Sequence, residues 1–101
     1  MKDNLMKPCT CANVKICSDL ESNSVIVSAE LPGVKKEDVK LNFSADSFCL
    51  SGERDDLRFD CCYEMPYEVD FKHSDARFEN GLLTIKVPVA GSMRGESIEI
   101  H

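Results

Sequence analysis

The sequence has no tryptophan, few aromatic residues of any kind and fewer basic than acidic side chains. Its 101 residues include 12 Lys and Arg against 18 Asp and Glu, which gives a formal net charge of −6. A surface without clustered cations disfavours nucleic acids and anionic membranes, because both attract positive charge. We therefore expect no nucleic-acid partner and no membrane partner.

The chain also lacks a long hydrophobic run. No stretch approaches the roughly 20 apolar residues of a membrane-spanning helix. The start, MKDNLMKPCTC, has no apolar core of the kind that a secretory signal carries. These absences predict a cytoplasmic location. The length fits a single domain, which buries somewhat over about 60% of the surface that its unfolded chain exposes.

Sequence patterns typical of catalysis are missing as well. The chain has no G-x-x-x-x-G-K-[ST] loop for phosphate binding. His73 stands near Asp75, but no nucleophile pattern or oxyanion loop accompanies the two, so His73 is read as a surface residue. We predict that the protein is not an enzyme, has no catalytic residues and needs no cofactor.

Six cysteines are many for so short a chain. Their spacing is not the repeated C-x₂₋₄-C of a zinc site, and Cys61 and Cys62 are adjacent on a predicted strand, so they point to opposite faces. We therefore predict no metal site. Without a secretory signal, reduced thiols are favoured over a disulfide framework; Cys49 and Cys61 are expected to be partly buried, and Cys9 and Cys11 to oxidise most readily. A redox or metal protein built on these cysteines is the less favoured alternative.

Apolar and polar residues alternate with a period of two through most of the chain, which is typical of half-buried strands. About seven short strands separated by turns predict an all-β fold, an antiparallel β-sandwich of the immunoglobulin-like kind. A single helical turn is expected at 36–38. The predicted organisation is a short N-terminal arm at 1–10, the sandwich domain at 11–90 and a C-terminal tail at 91–101.

The clearest pattern is A-R-F-E-N-G-L-L-T-I-K-V-P, which runs from Ala76 to Pro88. Both Asn80 and Gly81 tolerate a positive φ, so they form the strongest short-range signal for a hairpin turn. Alternating apolar residues follow the turn, and Pro88 cannot donate a ladder hydrogen bond. The segment is predicted to be strand, tight turn and strand.

This pattern resembles the signature near the end of the α-crystallin domain of small heat-shock proteins. Further segments resemble motifs of that family and occur in the same order along the chain. They are A-E-L-P-G-V within 27–34, K-E-D-V-K-L at 36–41, L-S-G-E-R at 50–54, M-P-x-x-V-D at 65–70 and I-E-I at 98–100. The resemblance covers roughly residues 12 to 100.

The resemblance implies an ATP-independent chaperone, a holdase that binds exposed hydrophobic segments of partially unfolded client proteins and limits their aggregation. It implies a groove between two edge strands that receives clients or the tail, with Ile98 and Ile100 as the plug. The groove residues would be Val39, Leu41, Phe43, Ala76 and Phe78.

Self-association is the second implication of the resemblance, as a homodimer or small oligomer. The short arm and the missing long loop after L-S-G-E-R disfavour a swapped-strand dimer, which leaves pairing along a strand edge that contains Leu57, Phe59 and Cys61. An alternative with the same sandwich is a CS-domain-like co-chaperone, a module that docks on a folded partner. The I-x-I tail and the Ala76–Pro88 pattern favour the heat-shock interpretation.

Overall fold

The computed structural model describes residues 7–91, which form eight strands in two four-stranded sheets. The strands are β1 (Cys9–Thr10), β2 (Asn13–Asp19), β3 (Ser24–Glu30), β4 (Lys40–Phe43), β5 (Ser47–Arg54), β6 (Leu57–Glu64), β7 (Asp75–Glu79) and β8 (Leu82–Pro88). Their order is β1-β6-β5-β4 in one sheet and β2-β3-β8-β7 in the other. The predicted all-β sandwich is confirmed. The two-residue β1, which pairs in parallel with β6, was not predicted.

The core lies between the two sheets and follows the predicted alternation. On β3, Val25, Val27 and Ala29 are fully buried, while Ile26 and Ser28 between them are half-buried. On β8, Ile85 and Val87 are also fully buried. The facing sheet contributes two side chains that are 1% exposed, Phe48 and Leu50. Alternation therefore identified the inward faces of β3 and β8 correctly.

The hairpin between β7 and β8 turns at Asn80 and Gly81, whose φ values are 50° and 80°. Positive φ at both central residues matches the twist of the flanking strands, which is why this dipeptide is favoured. The predicted helical turn at 36–38 is present as a 3₁₀ turn, Lys36–Asp38, and a second 3₁₀ turn, Phe71–His73, precedes β7. Within residues 7–91 no helix is long and apolar enough to cross a membrane.

The cysteines are arranged differently from the prediction. The structure pairs Cys11 with Cys61 and Cys49 with Cys62 in disulfides, so the expectation of separate, reduced thiols is wrong for these four. The second pair joins residues that face each other directly across β5 and β6. As expected, Cys49 and Cys61 are half-buried. Cys9, the fifth, is a free and exposed thiol, as is Cys17 on β2.

The N-terminal residues that the structure describes lie on the sheet. Lys7 through Thr10 were assigned to the arm, yet Cys9 and Thr10 pair with Arg58 and Phe59 of β6. The chain then crosses to the other sheet at Ala12, which is buried. The segment 7–12 therefore belongs physically to the sandwich, because it covers one end of an edge strand.

Candidate functional site

Motifs that are far apart in the sequence meet at one end of the sandwich, which we call the motif corner: Leu31–Val34, Gly52–Arg54 and Asn80–Gly81. The Leu31 amide donates to the Gly81 carbonyl at 2.7 Å. A Cβ at Gly81 would lie 3.2 Å from the Cα of Pro32, which is closer than most real contacts allow. The hairpin turn is therefore fitted against the L-P-G-V turn, and glycine satisfies both the φ angle and the space.

Arg54 closes the same corner from the other sheet. Its Nη1 donates to the Pro32 carbonyl at 2.6 Å, and its Nε pairs with the Asp56 carboxylate at 2.8 Å. Gly52, two residues earlier, is buried so tightly that a Cβ would lie 3.2 Å from Cγ1 of Val34. Three of the segments that carry the family resemblance thus contact one another, and their geometry accounts for them by packing and backbone conformation.

The groove predicted from the sequence lies between the edge strands β4 and β7. Each of these strands ends its sheet in residues 7–91, so each has one row of backbone groups without a strand partner there. Between the two strands is a shallow groove of about 180 Å³. Its lining is Lys36, Val39, Leu41, Ala76, Arg77, Phe78 and Leu83.

The character of this groove is apolar with a cationic rim. Val39, Leu41 and Phe78 pack against the core and yet remain partly accessible. Lys36 adds positive charge at the edge of the groove, and Arg77 at the same edge pairs with the Asp75 carboxylate at 3.5 Å. Such a surface can accept an extended segment with apolar residues at alternate positions, and its rim complements carboxylates on that segment.

Phe43 is the predicted groove residue that the structure places elsewhere. It lies at the far end of β4, with its ring 5.6 Å from that of Phe48 and stacked on Phe71 at 6.4 Å. Phe71 is 41% exposed and was not singled out from the sequence, because it stands in a connection without alternation. The two stacked rings form a second apolar patch on the same edge strand.

The second predicted site, the β6 edge, is not free along its whole length. The Arg58 amide donates to the Pro8 carbonyl at 2.9 Å, and β1 pairs with β6 at Phe59. Phe59 itself is 6% exposed and belongs to the core, and Cys61 is bonded to Cys11. The expectation of an open edge at these residues is corrected, because the N-terminal segment already occupies it.

The predicted plug, Ile98 and Ile100, lies outside the described residues. Ala76, by contrast, is exposed in the groove, and the end of the described chain, Gly91, follows the last strand by a few residues. Because the described chain ends at Gly91, the binding of the two isoleucines in the groove stays a prediction.

The other polar features of residues 7–91 include an open charged cavity and surface ion pairs. A cavity of about 670 Å³ is lined mainly by charged side chains of both signs, and within it the Lys7 ammonium pairs with the Glu53 carboxylate at 3.2 Å. His73 contacts Asp70 at 2.6 Å, not the neighbouring Asp75, and both members of the pair are solvent-accessible. Between residues 7 and 91 no group of three His, Cys, Asp or Glu side chains is arranged to hold a metal ion.

Several known proteins with similar sequences are heat shock proteins. Heat shock protein 16 of Schizosaccharomyces pombe is 32% identical over 84 residues, covering 65% of this chain and 59% of that protein. The 17.6 kDa class I heat shock protein 1 of Arabidopsis thaliana is 30% identical over 94 residues, covering 76% of this chain and 61% of that protein. The chain thus spans less than two thirds of the length of both relatives.

The fold is shared with solved structures of the same kind. Heat shock protein 16.0 from Schizosaccharomyces pombe superimposes with a TM-score of 0.71 at 27% identity, covering 91% of this chain and 99% of that one. A family model described as the Hsp20/alpha crystallin family matches residues 18–101. With eight strands in the arrangement described above, the chain belongs to the Hsp20/alpha crystallin family.

Proposed function

We propose that this protein is an ATP-independent holdase that binds exposed apolar segments of unfolding proteins and limits their aggregation. Proteins of its family are chaperones and not enzymes. The observation that carries the proposal is the groove between β4 and β7, where apolar side chains remain accessible beside two sheet edges. An edge of this kind is a template for an additional strand.

Client binding would combine strand addition with side-chain insertion. A segment laid along β4 or β7 can form backbone hydrogen bonds at any sequence, while every second side chain enters the groove. Burying two large aliphatic side chains gains about 3–6 kcal/mol, and association costs an estimated 4–15 kcal/mol in lost freedom of motion. A single groove is therefore a weak site, which suits a protein that must hold many sequences and release them.

The same groove is the proposed acceptor of the C-terminal tail. In an extended tail, Ile98 and Ile100 would share one side, and Glu99 between them would point away from that side. The ten steps from Pro88 to Ile98 reach at most about 33–36 Å, which is enough for the groove of the same chain or of a neighbour. Lys36 at the rim would complement a carboxylate of the tail such as that of Glu96.

Family members self-assemble into oligomers, and weak sites gain strength when several are linked. We propose a homodimer or small oligomer for this chain, with partially unfolded proteins as clients and the cytoplasm as its location. The family match favours this function over a CS-domain-like co-chaperone. Disulfides in four of the six cysteines and the absence of a metal-binding group in residues 7–91 do not support a metal protein.

The test is suppression of heat-induced aggregation of a model client, measured by light scattering without ATP. The wild type should suppress at roughly stoichiometric ratios. Ala76→Asp places a charge in the groove and should weaken suppression several-fold, whereas Ala45→Asp makes the same change at an exposed turn and should not. If the wild type fails at every ratio, the holdase proposal is wrong; equal loss in both variants would move the site away from the groove.

The role of the tail is tested separately by Ile98→Ala combined with Ile100→Ala. Loss of both plugs should lower the mass of the assembly in multi-angle light scattering, because each plug contributes to contacts between subunits. Ser97→Ala combined with Glu99→Gln is a control that keeps the isoleucines. An unchanged mass in the isoleucine variant would show that the tail does not hold the assembly together.

A further inference from the structure

An exposed thiol of the N-terminal segment lies beside a cationic side chain. Cys9 of β1 is free and exposed, and it lies directly opposite Arg58 where β1 pairs with β6. Arg58 is exposed as well, so the thiol and the guanidinium share the solvent-facing side of the sheet. A neighbouring cation favours the thiolate, which is the nucleophilic form of a cysteine.

The electrostatics of Arg58 agree with this placement. A hydrogen bond with Cys9 and the charge of that group are the main causes that raise the pKa of Arg58. The carboxylates of Asp60 and Glu53 raise it further, by smaller amounts. The guanidinium therefore stays charged, and Cys9 is the group with which it interacts most.

The chain holds this thiol in place from both sides. Directly before it, the Pro8 carbonyl accepts a hydrogen bond from the Arg58 amide at 2.9 Å. Two residues after it, Cys11 is bonded to Cys61 of β6. Both of these sulfurs are used in the disulfide, so Cys9 is the free thiol of the segment 7–12.

A charged pocket adjoins the thiol on the same face of the sheet. Its volume is about 230 Å³. Arg58 borders Cys9 on one side and lines this pocket on the other. The middle strand of the pocket, β5, lies two strand spacings from β1, about 9–10 Å, which is a distance that a tripeptide spans. The lining residues are Asp38, Lys40, Ser51, Gly52, Glu53, Arg58 and Asp60.

The pocket offers charges of both signs to a ligand. Glu53 already pairs with the Lys7 ammonium at 3.2 Å, whereas neither Lys40 nor Asp60 forms an ion pair within residues 7–91. These two lie on either side of Ser51 in the ladder. An ammonium beside a carboxylate matches the two charges of an α-amino acid group, and charge-assisted hydrogen bonds to such a group are strong.

We propose that Cys9 is a modification site, which forms a mixed disulfide with a small thiol that carries an α-amino acid group, as glutathione does. The Cys9 thiolate attacks one sulfur of glutathione disulfide. A bond forms between these two sulfurs, and the bond between the two glutathione sulfurs breaks. The departing glutathione thiolate takes up the proton that Cys9 has lost. Arg58 favours the attacking thiolate, and the pocket positions the attached peptide.

The second free thiol of the described chain provides an internal control for the first experiment. Cys17 is also exposed, but it lies opposite the apolar Ile26. The wild-type protein is incubated with glutathione disulfide, and peptide mapping by mass spectrometry follows both thiols with time. Cys9 should gain glutathione about tenfold faster than Cys17. Equal rates at the two thiols, or no adduct at Cys9, would overturn the proposal.

Substitution of Arg58 tests the cation. Arg58→Gln removes the charge, so adduct formation at Cys9 should slow several-fold while the rate at Cys17 stays the same. Arg58→Lys keeps a cation and should retain most of the rate. An unchanged rate at Cys9 in Arg58→Gln, with the fold intact by circular dichroism, would contradict the role given to the guanidinium.

Two disulfide reagents separate binding in the pocket from reactivity of the thiol. Lys40→Gln combined with Asp60→Asn removes both unpaired charges, so Cys9 should react several-fold more slowly with glutathione disulfide. Hydroxyethyl disulfide carries no charge and should react at the wild-type rate. Lys15→Gln combined with Glu21→Gln makes the same change at exposed positions of the other sheet and should alter neither rate.

The ratio of the two rates decides whether the pocket binds the amino acid group. If the pocket variant reacts with both reagents in the same proportion as the wild type does, the assigned ligand class is wrong. All of these measurements use the protein alone and involve no client. Their failure would therefore leave the holdase proposal intact, and failure of the holdase proposal would leave this modification site intact.

Discussion

The motif corner and the groove lie in the same sandwich but differ in how closely their residues are packed. At the corner, Leu31 is fully buried, and a Cβ at Gly81 would lie only 3.2 Å from the Cα of Pro32. In the groove, Leu41 and Phe78 are only partly buried, and Ala76 is exposed beside a sheet edge. Atoms pack closely at the motif corner, whereas the side chains of the groove stay accessible to solvent.

This difference separates the residues that identify the fold from those proposed to act. The glycines and the arginine of the corner have few tolerated replacements, because backbone angle and close packing fix them. The groove needs only apolar character at alternate positions, which many sequences provide. A strong family pattern can therefore coincide with a site whose individual residues are far less constrained.

The largest expected effect is at the corner. Leu31→Ala should lower the free energy of unfolding by about 2–5 kcal/mol, because it leaves a cavity in a fully buried position. Urea denaturation followed by circular dichroism measures the loss. Leu82→Ala, at a leucine that is 44% exposed, should change stability by no more than about 0.5 kcal/mol. Similar losses in both variants would erase the distinction between buried corner and open surface.

A smaller effect is expected at the hairpin turn. Gly81→Ala should cost about 1–3 kcal/mol, because alanine must adopt a positive φ and approach Pro32 closely. Gly91→Ala provides a matched control, since Gly91 also has a positive φ but nothing within 4 Å of its added Cβ. The excess loss at Gly81, read from thermal unfolding, reports the close contact together with the difference between the two φ angles, 80° and 112°. No excess would show that only the backbone angle matters at the corner.

The smallest effect on stability is expected in the groove. Ala76→Asp should change the free energy of unfolding by only about 0.5 kcal/mol, because the side chain is exposed at a sheet edge. The same variant should impair suppression of aggregation, so stability and activity would separate. Should chemical denaturation reveal a loss comparable to that of Leu31→Ala, the groove would have to be counted as part of the core.

Most of the fold was predictable because its strands are half-buried. Alternation located the inward faces of β3 and β8, and Asn80–Gly81 located the hairpin. The strand β1 was not predicted, because two residues are too few to show a period and its parallel partner is distant in the sequence. The exposed position of Phe71 was not predicted for a related reason. Its stacking on Phe43 depends on how the connection before β7 folds over the edge strand β4.

The groove was predictable only in part. Four of its lining residues, Val39, Leu41, Ala76 and Phe78, follow from the family resemblance together with alternation. The cysteine pairs could not be foreseen, because the partner of Cys49 depends on which residue of β6 faces it. The register between β5 and β6 determines which cysteine faces Cys49, and the spacing of cysteines along the chain does not reveal that register.

Cys61 and Cys62 occupy neighbouring positions on β6 and are bonded on opposite faces of its sheet. If Cys49 captured Cys61 instead, β6 would slip by one residue, and every side chain on it would change faces. Arg58 and Asp60 would then enter the core in place of Phe59. A bond from Cys49 to Cys61 would therefore be incompatible with the buried position of Phe59, so the sandwich as described requires the pairing of Cys49 with Cys62.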